Sequence, residues 1–208
     1  MKRYLLYALG LVLTSTLATA WSSKNADRQK VADDLKAAFT GETTASAKYA
    51  AYAEKARSED LPKIALLFEA ASKAESIHAG NHKAALEQLG EDAPDVTPKY
   101  EVKTTKENLK DAIAGETYES TTMYPDFLKD GSAANVTIAL ISFNYAYKTE
   151  LKHKALYEAA LRSLETGKAD EMASMYQVCP TCGNTYEGEG PARCGICMTS
   201  KDRYITFE

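Results

Sequence analysis

Two short motifs have the residue types and the spacing to hold metal: Glu75-Ser-Ile-His78 and Glu150-Leu-Lys-His153. On an α-helix, residues i and i+3 share a face, so each carboxylate projects beside its imidazole. Two such pairs on two helices, each joined by a glutamate from a further helix, make the ligand set of a carboxylate-bridged metal pair inside a four-helix bundle. The joining glutamates recur at matching places: Gly41-Glu42-Thr43 precedes Glu75, and Gly115-Glu116-Thr117 precedes Glu150, with glutamate-to-glutamate separations of 33 and 34 residues. A second acidic residue, Glu119, follows Glu116 by one turn. The chain therefore reads as two helical hairpins, each contributing one glutamate and one Glu-x-x-His, around a shared centre.

The helices that must position these groups show the 3.6-residue period. The first, from about Asp27 to Ser58, carries Val31, Leu35, Ala38, Phe39, Glu42, Ala45, Tyr49, Tyr52 and Ala56 on one stripe. The second, opened by Pro62 with Asp60 as candidate cap, carries Ile64, Leu67, Phe68, Ala71, Glu75, His78, His82, Ala85, Leu86 and Leu89, and ends at Gly90. Residues 91–104, with Pro94 and Pro98, read as a long crossover. Thr104-x-x-Glu107 has the form of a capping box for the third helix. Its stripe is Leu109, Ala112, Ile113, Glu116, Glu119, Met123 and Phe127, with a kink or end expected at Pro125. Gly131 and Ser132 should break it and cap the fourth helix, whose stripe is Ala139, Phe143, Ala146, Glu150, His153, Tyr157, Leu161 and Leu164.

A lone glutamate on a helix is usually a solvated face residue. Five glutamates and two histidines all on core stripes are not, because a buried carboxylate without a partner costs several kcal/mol. Five negative charges approach neutrality only with two di- or trivalent cations among them. His82, one turn beyond His78, reads as a residue near the wet end of the bundle, with a hydrogen bond to a ligand as the other possibility. Tyr49 and Tyr124 lie near the glutamates, where their hydroxyls could reach a bridging carboxylate or a bound oxygen species; ordinary aromatic packing is the alternative.

The tail changes character. All four cysteines fall in Cys179-Pro-Thr-Cys182 and Cys194-Gly-Ile-Cys197, two Cys-x-x-Cys knuckles separated by eleven residues. That spacing suits one tetrahedral ion held by four thiolates better than two disulfides. Zinc and iron both fit such a set; a neighbouring redox-capable centre favours iron. So short a segment buries little core, and the metal must contribute much of its folding free energy.

The chain has 208 residues, 45% hydrophobic and 26% charged, with net charge −4 and no basic stripe. These values describe a globular protein and argue against a nucleic-acid partner. Lys2-Arg3, the mostly apolar run Tyr4 to Leu17, and Ala18-Thr19-Ala20 have the form of a secretory leader. The apolar run is shorter than the roughly 20 residues a bilayer span needs. The expected layout is a leader over 1–20, a bundle over 21–170 and a metal-knuckle domain over 171–208, exported to a periplasmic space without stable membrane insertion.

Taken together, Gly41-Glu42, Glu75-Ser-Ile-His78, Glu116-Thr-Tyr-Glu119, Glu150-Leu-Lys-His153 and the two cysteine knuckles resemble the rubrerythrins from about residue 27 to 208. The resemblance implies a mainly α fold, a ferritin-like four-helix bundle with a long crossover, followed by a rubredoxin-like domain. It implies a di-iron site in which Glu75 and Glu150 bridge, Glu42 binds one iron, and Glu116 with His153 binds the other. Glu119 and His78 would exchange at one iron as the site is reduced, and a third iron would sit on Cys179, Cys182, Cys194 and Cys197. The implied activity is a hydrogen peroxide peroxidase fed through the four-cysteine iron, with Glu119, His78, Tyr49 and Tyr124 acting at the site. A ferroxidase or iron-sequestering protein is the alternative. The resemblance further implies a homodimer in which the tail of one chain serves the bundle of the other. Two features depart from the family. The second knuckle, Cys194-Gly-Ile-Cys197-Met198, lacks the usual Pro and Gly, which bears on hydrogen bonding to sulfur. The leader also separates the protein from NADH, so its donor would be another exported carrier such as a cytochrome.

Overall fold

The computed structural model describes the chain from Leu5, and its side chains from Asn25. The expected leader, residues 1–20, lies outside the described side chains. Helix α1 spans Leu5–Ser58, α2 Pro62–Leu89, α3 Thr105–Tyr118, α4 Tyr124–Ala133 and α5 Thr137–Glu165. Helices α1 and α2 pack as one hairpin, α3 and α4 pack on α5, and α2 faces α5 across the middle. Among the described residues no helix is long and apolar enough to cross a membrane.

Local signals account for most helix ends. Gly90 closes α2 at φ 79°, a left-handed position that favours glycine. The Thr104–Glu107 capping box forms in both directions at the start of α3. Other boundaries differ from expectation. Asp60 does not cap α2; Leu61 is the N-cap, and Asp60 takes φ 58° in the turn before it. Pro125 does not end the third helix. A π-helical turn, Glu119–Met123, joins α3 to α4, and Pro125 falls in the first turn of α4, where its missing N–H is tolerated. Gly131 and Ser132 lie within α4. The break comes at Asn135, φ 56°, while Gly131 lets α5 approach: a Cβ there would stand 3.0 Å from Leu140 Cδ2.

The apolar stripes gather into two clusters. One contains Tyr49, Tyr52, Ile64, Leu67, Phe68, Leu109 and Tyr157; the other contains Val31, Leu35, Leu86, Tyr124, Val136 and Phe143. The buried glutamates and histidines form a polar layer on the same helices, between these stretches of apolar stripe.

The tail forms a three-stranded antiparallel sheet, order β2-β1-β3, from β1 Tyr176–Val178, β2 Thr185–Glu187 and β3 Ile205–Phe207. It does not stand apart from the bundle. Tyr176 and Val178 belong to the same buried cluster as Phe68 and Leu67. Lys63 Nζ donates to Met172 O at 2.6 Å, and Asn81 Nδ2 to Thr181 O at 3.0 Å.

Candidate metal centre

The i, i+3 spacing works as anticipated: His78 Nδ1 lies 2.9 Å from Glu75 Oε2, and His153 Nδ1 lies 2.9 Å from Glu150 Oε2. Tertiary packing then crosses the pairs. His78 Nδ1 is 2.8 Å from Glu150 Oε1, and His153 Nδ1 is 3.0 Å from Glu75 Oε1. Glu75 and Glu150 thus each direct one oxygen to each histidine, which is the geometry of a bridging carboxylate. Glu42 Oε1 completes the His78 side at 3.8 Å, and Glu116 Oε1 the His153 side at 3.9 Å. Two four-residue sets result, Glu42–Glu75–His78–Glu150 and Glu75–Glu116–Glu150–His153, all buried.

These residues fit a metal pair on two grounds. Ligands about 2.1 Å from an ion and at right angles lie about 3 Å apart, as these atoms do. Glu42 Oε2 and Glu116 Oε2 are also buried without hydrogen-bond partners among the described residues, an arrangement that costs stability unless a cation compensates. The electrostatics agree. Burial, and then the neighbouring carboxylates, push Glu42 and Glu116 well above the ordinary carboxyl range. Burial opposes ionisation of Glu150 too, but the His78 charge and the His153 hydrogen bond hold it down. Burial lowers His153, yet Glu75 and Glu150 overcome it and raise it to about 9.

Glu119 is the predicted ligand that falls outside both sets. It sits on the π turn, partly exposed, and burial followed by Glu150 and Glu75 raises its carboxyl well above the usual value. His78 occupies the site and Glu119 stands beside it.

The tyrosines do not reach the bridging carboxylates. Tyr49 donates to Glu116 Oε1 at 2.8 Å and Tyr124 donates to Glu42 Oε1, so each half's tyrosine holds the other half's terminal glutamate. His82 is fully buried, not wet. Ser142 Oγ donates to its Nδ1 at 2.7 Å, and its Nε2 lies 3.0 Å from the Tyr124 hydroxyl oxygen. Since Tyr124 gives its own proton to Glu42, His82 Nε2 must be the donor. Burial, and then the His78 charge, lower His82 to about 3, so it is neutral, as one donor nitrogen and one acceptor nitrogen require.

The four thiols converge as anticipated. Cys179 and Cys197 sulfurs are 3.4 Å apart and those of Cys182 and Cys194 3.5 Å; all four thiols are free and within 4.8 Å of one another. A tetrahedral ion with metal–sulfur bonds near 2.3 Å asks for about 3.8 Å, so the set is sized for a metal. Polar donors to the second knuckle come from β2 and its approach: Asn184 Nδ2 to Cys194 Sγ at 3.4 Å and the Tyr186 hydroxyl at 3.5 Å. Burial pushes the Cys194 thiol up, and these two donors outweigh it and bring it down.

The tail meets the centre of the bundle within this chain. His78 Nε2 lies 3.1 Å from Cys182 O. A carbonyl oxygen can only accept, so Nε2 carries the proton and Nδ1 is left to face the carboxylates. His153 Nε2 lies 2.9 Å from Thr185 Oγ1, which donates to Gly183 O at 3.1 Å and therefore accepts from the imidazole. One loop, residues 182–185, sets both tautomers. Thr185, Ser142 and Gly183 were missed in the sequence. Ser142 shares the stripe of Ala146 and Glu150 and was legible there; Thr185 and Gly183 carry no periodic signal.

The chain is similar to known proteins over most of its length. A family model described as rubrerythrin matches residues 33–161. Nigerythrin of Nitratidesulfovibrio vulgaris is 34% identical over 183 residues, covering 84% of this chain and 85% of that protein. Rubrerythrin-2 of Clostridium acetobutylicum is 34% identical over 187 residues, covering 89% of this chain and 100% of that one. A solved structure of nigerythrin in its fully reduced, all-ferrous state superposes with TM-score 0.77 at 33% identity, over 85% of this chain and 86% of that one. The two carboxylate–histidine sets are the candidate di-iron site, and the four cysteines the candidate third iron site.

Proposed function

The chain belongs to the rubrerythrin family, and from that premise we propose that it reduces hydrogen peroxide to two waters with electrons entering through the four-cysteine iron. Membership makes it an iron oxidoreductase of peroxidase type; peroxide as substrate and the tail as relay are the finer reading. The observation that carries it is the hydrogen bond between His78 Nε2 and Cys182 O. A storage protein has no use for a thiolate knuckle seated on a metal ligand, whereas a relay needs that contact.

When bound, the iron pair supplies the two electrons that cleave the O–O bond. The chain's own groups do the rest. Glu75 and Glu150 would hold both ions, and Glu42 and Glu116 would hold one each. Tyr124 and Tyr49 hold those terminal carboxylates by hydrogen bonds, and the neutral His82 holds Tyr124. Glu119, raised and partly exposed, can carry a proton between solvent and the site, and would be the alternative ligand to His78. The apolar clusters above and below keep bulk water out, which strengthens each of these contacts.

The test is anaerobic. Reduced protein is mixed with excess peroxide and an artificial donor, and peroxide loss is followed per chain. Many rapid turnovers support the proposal; one stoichiometric oxidation with iron retained supports sequestration. Replacing Cys182 by Ser should abolish turnover from the donor but leave a single oxidation intact. The leader-like residues make export a further part of the proposal, which cell fractionation tests.

A further inference from the structure

One group of redox-active side chains lies beside the centre, and the chemistry above uses it only through the Tyr49 hydrogen bond to Glu116. Tyr49, Tyr52 and Tyr157, all buried, join Phe68 in one aromatic group. Ring centroids are 6.1 Å apart for Tyr49–Tyr52, 5.4 Å for Tyr49–Tyr157, 5.4 Å for Tyr52–Phe68 and 5.2 Å for Phe68–Tyr157. The spacing explains the grouping: Tyr49 and Tyr52 are i, i+3 on α1, and Tyr157 is one turn past His153 on α5. The group begins at a metal ligand, through the Tyr49–Glu116 hydrogen bond. It ends near the surface, where the Tyr52 hydroxyl donates to Asp111 Oδ2 at 2.9 Å. Tyr52 and Asp111 line a cavity of about 380 Å³ together with Lys48 and Tyr100.

The three tyrosines differ in where a phenolic proton can go. A tyrosine that loses an electron becomes a strong acid, and the loss is sustained only if a base accepts its proton. Lys48 Nζ stands 5.4 Å from the Tyr49 ring centroid and 5.9 Å from that of Tyr52, so positive charge on either ring is disfavoured. The Tyr157 hydroxyl is buried with no hydrogen-bond partner among the described residues. Tyr49 faces Glu116, whose oxygens are committed when it holds a metal. Tyr52 alone of the three faces a carboxylate outside the two metal sets, Asp111, which Lys48 also pairs. Burial raises Asp111, but Lys48, 2.8 Å away, outweighs it and holds the carboxyl below its ordinary range.

We propose that Tyr52 and Asp111 form the terminal of a hole-transfer chain from the metal centre, Tyr49 to Tyr52, where a surplus oxidising equivalent rests as a neutral tyrosyl radical within reach of a small reductant. Reduction of hydrogen peroxide to two waters takes two electrons and two protons. Where the centre holds only one electron, the second comes from Tyr52 by way of Tyr49. The Tyr52 O–H bond breaks, its electron passes to Tyr49 and onward, and its proton passes to the Asp111 carboxylate. A one-electron reductant of the phenol or enediol class, entering the cavity, returns the electron, and Asp111 returns the proton.

The source of the hole rests on the peroxide-reducing reading; the chain of tyrosines does not, and the experiment separates the two. Iron-loaded full chain, with one reducing electron at the bundle centre and the tail centre oxidised, is mixed with one equivalent of hydrogen peroxide and freeze-quenched for EPR. A tyrosyl signal is expected, lost in Tyr52→Phe and Tyr49→Phe and kept in Tyr157→Phe. Asp111→Asn, which retains a hydrogen-bond partner but not a base, should also lose it. A signal that survives Tyr52→Phe, or is undiminished in Asp111→Asn, overturns the proposal, and so does peroxide consumed with no tyrosyl signal. In parallel, metal-free protein is oxidised by pulse-generated azide radicals. The tyrosyl absorbance should decay more slowly in the unmutated chain than in Tyr52→Phe, because Tyr52 is the sink; equal decay overturns the proposal whatever the peroxide result. Absence of peroxide loss in the first sample counts against the peroxidase reading alone.

Discussion

Gly183 offers the sharpest test of how the tail is seated. It has φ +76°, and a Cβ there would lie 2.3 Å from His78 Nε2, 2.8 Å from His78 Cδ2 and 3.1 Å from Ala74 O. None of these can easily give way. Ala74 O is main chain, and the imidazole is pinned at its other nitrogen by Glu75 and Glu150 at 2.9 and 2.8 Å. Gly183→Ala therefore carries two costs: about 1–2 kcal/mol for a left-handed alanine and about 1–3 kcal/mol for overpacking against the bundle. Gly188 provides the control. It also has positive φ, +68°, in the same tail, but nothing lies within 4 Å of its would-be Cβ. Gly188→Ala carries only the backbone cost. The difference, about 1–3 kcal/mol, corresponds to a roughly 5- to 150-fold weaker docking of loop 182–185 on the histidines. The assay is single-turnover reoxidation of the tail centre after anaerobic mixing with peroxide, followed by its visible absorption. Both variants should keep the tail spectrum, with Gly188→Ala reoxidised at the unmutated rate and Gly183→Ala slowed. Equal rates in the two variants would refute the reasoning that the Cys182–His78 contact links the centres.

His82→Leu should leave Ser142 Oγ without its acceptor and Tyr124 without its donor, destabilising the metal-free protein by about 1–3 kcal/mol in chemical unfolding. Its affinity for the bundle metals should fall about 10- to 100-fold in chelator competition, because Glu42 loses its positioning. Cys182→Ser should reduce the metal content by one ion per chain and expose residues beyond 170 to protease, while the helical circular dichroism of the bundle persists. The metal-free protein should lose stability as pH rises from about 6.5 to 9. His153, raised from 6.5 to about 9, contributes stability fully present below 6.5 and lost through 9, worth about 3 kcal/mol. The raised carboxyls Glu42 and Glu116 act in the same direction, since the native state holds protons that the unfolded chain releases. Metal binding should displace those protons, so calorimetry in buffers of different ionisation enthalpy should show net proton release at pH 7.

What the amino-acid sequence determined by itself is everything carried by short spacing. Glu75 beside His78 and Glu150 beside His153 follow from 3.6 residues per turn. The cysteine knuckles, the Thr104–Glu107 box, the Gly90 stop and the apolar stripes that pull the glutamates inward are likewise local. The tertiary structure decided which groups meet across the bundle. It crossed each bridging glutamate to the other histidine, gave Tyr49 to Glu116 and Tyr124 to Glu42, buried His82 between Ser142 and Tyr124, and carried the chain past Pro125 on a π turn. It also laid loop 182–185 on the histidines of the same chain. Contacts between residues 60 or 100 positions apart leave no period in a sequence, because they depend on how whole helices pack and on the space each side chain leaves for another.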